Sequence, residues 1–219
     1  AAILLLIVAS FGCNPLLLPM QLLNLNKTRP SEYGFYEKAR KAKDKKDIKI
    51  AVLTYRGRGL SPEYIGAERT LTTLFVAALK AGFAQNKERV TIVPTAEVEK
   101  FKQKNDDWRA MEPHEIGAKL GVDFVVDVEL ASLSLYEPGS RLLFRGHCEI
   151  PLRVMDSDPN SETPEFFAHP YSTDYPGSGV TVPADQDMNA DKFQNQFLTK
   201  VATELTGLFT GVSTGQRFR

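Results

Sequence analysis

The feature of this sequence that most restricts its fold is an alternating stretch from Arg141 to Met155. Every second position holds an apolar side chain or glycine, and mostly polar or charged side chains fall between them. Successive side chains of a β-strand point to opposite faces, so this pattern predicts a strand with one buried and one exposed face. The positions predicted to be buried are Leu142, Phe144, Gly146, Cys148, Ile150, Leu152 and Val154.

A second apolar stretch, Asp123–Tyr136, comes shortly before the first and is also predicted to be a strand. The residues between them, Glu137–Ser140, include Pro and Gly and favour a tight turn, so we expect an antiparallel hairpin. Shorter apolar segments at Ile48–Thr54 and Val90–Pro94 predict two further strands. Helical spacing predicts helices at Pro62–Ala81, Thr95–Lys104, Pro113–Leu120 and Lys192–Thr210.

The order of these elements predicts an α/β (α+β) fold, with a mixed β-sheet of four to five strands and helices packed on it. The chain has 219 residues, of which 42% are hydrophobic, and this suits a single domain with one core. We expect that domain to span residues 48–219. It includes a Pro-rich loop at residues 156–191, in which Phe166–Tyr171 could form an irregular fifth strand, and it ends in the amphipathic C-terminal helix.

Residues 1–13 have the pattern expected of the later part of a secretory signal peptide. All nine residues of Ala1–Ala9 are apolar, and Gly12–Cys13 follows shortly after them. A small residue directly before a cysteine is typical of a lipobox, in which a diacylglyceryl group is added to the cysteine sulfur. The sequence therefore predicts that Cys13 is a lipid-attachment residue.

Two other interpretations of this segment stay open. The uncharged stretch Ala1–Leu23 is long enough to be an uncleaved transmembrane anchor, although Pro15 and Pro19 interrupt it. A buried core element is the other alternative for the segment. For Cys13 itself the alternative is a disulfide with Cys148, which would require an oxidising compartment.

Residues 14–47 are predicted to form a flexible basic linker between the leader and the domain. The run Lys38–Lys49, at the end of this linker, has seven basic and two acidic residues among twelve. Such a run can be a solvated tether, a contact with anionic lipid headgroups or a contact with nucleic acid. Over the whole chain 27 basic and 27 acidic residues balance, so no net charge favours nucleic acid as a partner.

The sequence contains no arrangement of residues that matches a familiar catalytic or metal-binding motif. His114, His147 and His169 lack metal-ligand spacing, and we expect neither a metal nor a cofactor. Asp156 and Asp158 follow a strand and would be the acid pair of a secreted hydrolase, but the Ser, Pro and Asn around them are typical of a solvated turn. We therefore expect a protein without catalytic residues.

The aromatic residues of the Pro-rich loop are candidates for a partner-binding surface. Aromatic side chains bury a large area with few rotatable bonds, as interface anchors do. Packing of the same rings over the sheet is the alternative. The residues concerned are Phe166, Phe167, Tyr171 and Tyr175.

Three segments together resemble a family of envelope lipoprotein domains. They are IAVLTY at Ile50–Tyr55, VTIVPTAEVEKF at Val90–Phe101 and GAKLGVDFVVDVELASL at Gly117–Leu133. In the last of them a helix ends at Gly121, Asp123 follows, and an apolar strand opens a hairpin. This layout is similar to the domains related to the curli-secretion channel subunit and to the lipoprotein activator of penicillin-binding proteins.

The resemblance implies an outer-membrane-anchored protein that faces the periplasm and acts through protein contacts. A secretion channel also needs membrane-spanning hairpins, and the sequence offers no spare pair of long alternating strands for them. We therefore expect a non-enzymatic lipoprotein, carrying a fatty acid such as palmitate on Cys13, that binds envelope proteins and supports cell-wall synthesis or secretion. A secretion-channel subunit and a secreted hydrolase are the alternatives.

Overall fold

The computed structural model describes residues 28–29, 31, 34–177, 179–210 and 212–213. Cys13, the predicted signal peptide and the linker as far as residue 27 lie outside them. The helices in the described residues are α1 Phe35–Ala42, α2 Ala67–Gln85, α3 Thr95–Lys104, α4 Pro113–Leu120 and α5 Ala190–Thr210. The strands are β1 Thr28–Arg29, β2 Ile48–Arg56, β3 Val90–Ile92, β4 Phe124–Leu130, β5 Ser132–Tyr136, β6 Leu143–Asp156, β7 Glu165–Tyr175, β8 Val182–Pro183 and β9 Val212–Ser213.

Seven of these strands form one mixed sheet, which confirms the predicted α/β class. β2 lies between β3 and β4 and runs parallel to both. β6 runs antiparallel to β4 and β5 along one of its edges and to β7 and β8 along the other. β1 pairs with β9, so the first and last described strands of the chain lie side by side.

Helices cover the two faces of the sheet unequally. α1, α2 and α5 pack on one face and enclose the larger core. α3 and α4 pack on the other face, where they cover β2, β3 and β4. On β6 and β7 this second face is open to solvent, as the exposed side chains of Glu149, Pro151, Arg153, Ala168, Pro170, Ser172 and Asp174 show.

The alternation that predicted β6 is confirmed from Phe144 to Val154, because every second residue of that range is buried against the larger core. Leu142 is the exception, with 74% of its surface exposed, because it precedes β6 in the hairpin turn. The apolar face of the C-terminal helix is also confirmed. Its predicted members Phe193, Phe197, Val201, Leu205 and Leu208 are all buried.

The helix predicted at Pro62–Ala81 is displaced along the chain. Pro62–Tyr64 forms a separate 3-10 turn, and α2 begins only after Gly66, whose φ of 91° is incompatible with a helix. At its other end α2 continues past Gly82 to Gln85. Gly82 allows α5 to approach, since a Cβ there would lie 2.8 Å from Oγ1 of Thr210.

The stretch predicted as one strand, Asp123–Tyr136, is divided at Ala131 into β4 and β5. The amide of Ala131 donates to the carbonyl of Glu149 at 3.0 Å, and pairing of β6 with β4 resumes only at Leu152. Pro151 therefore lies opposite the break, at a position of β6 that pairs with neither β4 nor β5.

The predicted linker is wrong for residues 35–47, which belong to the folded domain. Phe35 and Ala39 lie one helical turn apart in α1 and are completely buried in the larger core. Phe35 contacts Phe209 of α5, with ring centroids 5.2 Å apart. The high charge of this segment concealed the two apolar residues that fix it to the sheet.

The fifth strand considered at Phe166–Tyr171, inside the predicted Pro-rich loop at residues 156–191, is present but longer, because β7 spans the eleven residues Glu165–Tyr175. β7 pairs with β6 over almost its whole length, and Pro170 lies opposite Pro151. Neither proline has an N–H to donate to the other strand. Their backbone nitrogen atoms therefore point away from the hydrogen-bond ladder between β6 and β7. Pro170 thus lies on the outer edge of β7, which is where a strand tolerates proline.

Candidate functional site

The four aromatic residues predicted to bind a partner lie on β7 and face the larger core. Phe166 contacts Phe124 with ring centroids 4.8 Å apart, and Phe167 contacts Phe209 at 5.6 Å. All four rings are half-buried. Internal packing, the alternative for these residues, therefore accounts for much of their surface.

A groove of about 920 Å³ runs between α5 and the chain that follows β7. One wall is the polar side of α5, and the other is a mainly apolar segment. The volume is in the usual range for ligand-binding clefts. The lining residues are Lys192, Asn195, Gln196, Thr199, Lys200, Thr203 and Glu204 on α5, and Tyr175, Pro176, Gly177 and Val180 on the facing wall.

The positions of both walls follow from the amphipathic pattern of α5. Its apolar side holds Phe193 and Phe197 in the core, which turns the polar side toward the groove. The ring of Tyr175 stacks on Phe197 at 6.0 Å with an interplanar angle of 8°, and this contact fixes the start of the facing wall. Val180 completes that wall and is 54% exposed, so an apolar side chain is left accessible beside the polar helix.

A connected set of polar contacts joins α5 to β7 at one end of the groove. The hydroxyl of Tyr171 donates to Oε2 of Glu204 at 2.5 Å, and Nζ of Lys200 lies 2.8 Å from Oε1 of the same carboxylate. Lys200 also donates to Oγ1 of Thr173 at 2.7 Å. Burial, together with the adjacent Glu204 carboxylate, raises the pKa of Tyr171 well above its usual value, so the hydroxyl remains a hydrogen-bond donor.

Some of the other polar groups of the groove are occupied within α5, and some are available to a ligand. The hydroxyls of Thr199 and Thr203 donate to carbonyls of their own helix, at 2.7 Å and 2.8 Å. The side-chain amides of Asn195 and Gln196 form no hydrogen bond to any described residue. Because an amide both donates and accepts, these two residues can bind the backbone of an extended peptide beside the apolar wall.

The acid pair proposed for a hydrolase is not arranged as one. Asp156 is buried and forms an ion pair with Lys43, while its Oδ1 also accepts the amide N–H of Asp158 at 2.8 Å. Its other oxygen accepts the hydroxyl of Ser161 at 3.1 Å. Asp156 therefore holds α1 and the turn after β6 in place, and its lone pairs are occupied by structural partners.

A second charged cluster lies where α3 and α4 stop covering the sheet. Asp127 is buried, and its Oδ2 accepts from Arg153 at 2.5 Å and from the hydroxyl of Tyr55 at 3.3 Å. Burial raises the pKa of Asp127, and Arg153 opposes this effect. Burial and the negative charge of Asp127 raise the pKa of Tyr55 to about 12. The guanidinium of Arg109 lies over the ring of Tyr55, 4.7 Å from its centroid.

Cys148 and the histidines occupy ordinary structural positions. Cys148 is completely buried, and burial raises the pKa of its thiol to about 12. This confirms that Cys148 is buried, as the alternation predicted, and such a cysteine packs as a small apolar residue. Nδ1 of His147 lies 3.0 Å from Oδ1 of Asp174 on the neighbouring strand. Among the residues that the structure describes, no group of three or more His, Cys, Asp or Glu side chains could hold a metal.

Sequence reasoning missed the groove and the Asp127 cluster. The available signal for the groove was the polar face of the C-terminal helix, where Asn, Gln and Thr occupy positions that are usually charged on a solvated helix. For the second cluster the signal was Asp127 itself, a carboxylate inside an otherwise apolar strand. Cys13 lies outside the described residues.

None of the described helices has the length and hydrophobicity needed to cross a membrane. No known family model matches the chain, and no curated protein matches it. Among solved structures, the chain is similar to the lipoprotein GNA1162 from Neisseria meningitidis, with a TM-score of 0.46, 13% identity, and coverage of 73% of this chain and 99% of that one.

Two further structures have a similar outline. The PelC dodecamer from Paraburkholderia phytofirmans gives a TM-score of 0.38 at 12% identity, covering 74% of this chain and 89% of that one. The hypothetical protein CT253 from Chlamydia trachomatis gives a TM-score of 0.40 at 10% identity, covering 74% of this chain and 97% of that one. At such identities a likeness concerns the fold alone.

Proposed function

We propose that this chain is a non-enzymatic lipoprotein of the bacterial cell envelope. A lipid on Cys13 holds it at the outer membrane, facing the periplasm, and it supports envelope assembly by binding another envelope protein. The observation that carries this proposal is the apolar segment Ala1–Ala9 followed by Gly12–Cys13. An apolar segment followed by a small residue and a cysteine fits export and lipid attachment.

Three side chains with potential chemistry support a binding role because they are held by a structural partner or are buried. Asp156 is held by Lys43, Asp127 is held by Arg153, and Cys148 is buried with a raised thiol pKa. A nucleophile or a general base needs an accessible atom and a matched pKa. The accessible groove beside α5 offers amides and an apolar wall instead.

The partner is an extended polypeptide segment that lies in this groove. The free amides of Asn195 and Gln196 hydrogen-bond to its backbone, and the exposed side chain of Val180 receives an apolar residue. Tyr175 is the one predicted partner-binding residue that lines the groove, and it contributes an aromatic edge beside Val180.

Fatty-acid labelling tests the anchoring part of the proposal. Cells that express the wild-type chain or the Cys13→Ala variant are grown with a clickable palmitate analogue. We expect label on the wild-type protein and none on the variant. Equal labelling of the two proteins would contradict attachment at Cys13.

Site-specific crosslinking tests the groove. A photo-crosslinking amino acid is placed at Gln196 in the groove, and at Ala168 on the open face of the sheet as a matched control. We expect a defined adduct with an envelope protein from position 196 and not from position 168. Absence of a protein adduct at position 196 in intact cells would overturn the proposed binding site.

A further inference from the structure

The basic run Lys38–Lys49 is folded, and its cations divide into two groups. Lys43 is turned inward to the buried carboxylate of Asp156, and Lys45 donates to Oδ1 of Asp123 at 2.6 Å. Arg40 pairs with Glu37. The remaining lysines are exposed and form no ion pair with any described residue; they are Lys38, Lys41, Lys46 and Lys49.

Exposed cations outnumber exposed carboxylates near this run, and most of the carboxylates already have a partner. Asp47 lies 3.7 Å from Arg89, and Asp123 is taken by Lys45. Asp44 is the one carboxylate of the run that has no ion pair among the described residues. Lys87, in the turn before β3, adds another exposed cation at this end of the sheet. The end of the domain where β2 begins is therefore a basic surface.

The first described strand, β1, lies at this same end. β1 pairs with β9, directly after α5 ends at Thr210. The carbonyl of Thr210 accepts from the side chain of Asn86 at 2.5 Å, and Phe209 contacts Phe35 of α1. Any membrane attachment that precedes residue 28 is thus joined to the domain beside the basic run.

We propose that Lys38, Lys41, Lys46 and Lys49 form a contact surface for anionic lipid headgroups, on which the domain rests beside its membrane attachment. This inference rests on the proposed envelope anchoring. Lysines near an anionic surface are attracted to it. The attraction decays over about one Debye length, and added salt shortens that length. Because the attachment keeps the domain at the membrane, an attraction that is weak for a free protein orients an anchored one.

Lysine footprinting of the full chain tests this inference. The membrane-extracted protein is reconstituted in vesicles of phosphatidylcholine alone, or of phosphatidylcholine with one third phosphatidylglycerol. Amines are acetylated briefly, and each lysine is quantified by mass spectrometry. Lys192 is the internal control, because it lies 18 residues before Thr210 on α5 and thus roughly 27 Å from the basic end.

We expect acetylation of Lys38, Lys41, Lys46 and Lys49 to fall severalfold in the anionic vesicles and to recover at high salt, with Lys192 unchanged. In a variant with these four lysines changed to Gln, protection of Lys45 and Lys87 by anionic vesicles should be lost. The control variant carries Gln at Arg58, Arg69 and Arg141, which are exposed at the opposite end of the domain, and it should keep that protection.

Equal acetylation in both kinds of vesicle, by a protein that stays bound to them, would overturn the lipid contact and leave the anchoring proposal intact. A native protein that is found entirely outside the membrane fraction would instead overturn the anchoring on which this inference rests. The two failures are therefore distinguishable in one preparation.

Discussion

A Cβ added to Gly146 would lie 2.5 Å from Cδ1 of Phe197, so the backbone of β6 packs directly against the Phe197 ring of α5. The ring cannot retreat, because Phe197 is completely buried and stacks on Tyr175. Tyr175 is in turn paired with Gly146 in the sheet. This contact fixes α5, and with it the polar wall of the groove, at its distance from β7.

Gly146→Ala should therefore destabilise the domain. We expect a loss of about 1–3 kcal/mol in the free energy of unfolding, as is usual when a packed core receives an extra carbon. Urea unfolding followed by circular dichroism measures it. Gly59→Ala is the control, since a Cβ there has an ordinary 3.9 Å contact and the change should stay within about 0.5 kcal/mol. Equal stability of the two variants would contradict the packing.

Asp156→Ala should separate α1 from the sheet. The side chains of Lys43 and Asp156 are 12% and 8% exposed, so removing the carboxylate leaves an ammonium group with little access to water. We expect a loss of about 3–5 kcal/mol, and a partial recovery when Lys43→Met and Asp156→Leu are combined.

Glu37→Gln is the comparison for this pair. It breaks the exposed ion pair with Arg40, and the expected loss is at most about 1 kcal/mol. If Asp156→Ala were as mild as Glu37→Gln in urea unfolding, residues 35–47 would be a tether after all and not a part of the domain.

Cys148 should make the domain less stable at high pH. Its thiol pKa is about 12 in the folded chain, against an ordinary value of 9.0, so the unfolded chain loses the proton first. The stability that this group contributes is present below pH 9 and is lost as the pH rises toward 12. We expect the free energy of unfolding of Cys148→Ala to decrease less than that of the wild type between pH 9 and pH 12. Identical pH dependence in both proteins would show that the thiol is accessible to water.

Arg153→Met should destabilise the domain more at pH 7 than at pH 4. Burial raises the pKa of Asp127, and removal of Arg153 removes the main opposing effect. In the folded variant the pKa of Asp127 then lies further above its value in the unfolded chain. The stability that Asp127 contributes is therefore present at low pH and decreases as the pH rises. Urea unfolding at both pH values measures this. A larger loss at pH 4 than at pH 7 would contradict the burial of the carboxylate.

The parts of the fold that sequence reasoning predicted are those with a clear period. The alternation around Cys148 placed β6, and the spacing of Phe193 and Phe197 placed α5, because each buries one continuous face. Prediction failed or fell short where only one or two residues decide whether a segment forms a helix or a strand. Phe35 and Ala39 fix α1 although charged residues surround them, and Pro170 is tolerated in β7 because it lies on an outer edge.

The groove could not be predicted because its walls come from distant parts of the chain. Val180 and Gln196 face each other only after β7 has paired with β6 and α5 has packed on the sheet. No local pattern reports such a contact. The proposed lipid-attachment site is the opposite case, since it is predicted from the adjacent residues Gly12–Cys13 alone.

Intact-mass analysis of the protein purified from its native host shows whether Cys13 carries the lipid. We predict a mature chain that begins at Cys13 and carries the added mass of a diacylglyceryl group, with the fragment that bears it mapped to that residue. A mature chain that keeps residues 1–12, or one that contains an unmodified Cys13, would contradict the account.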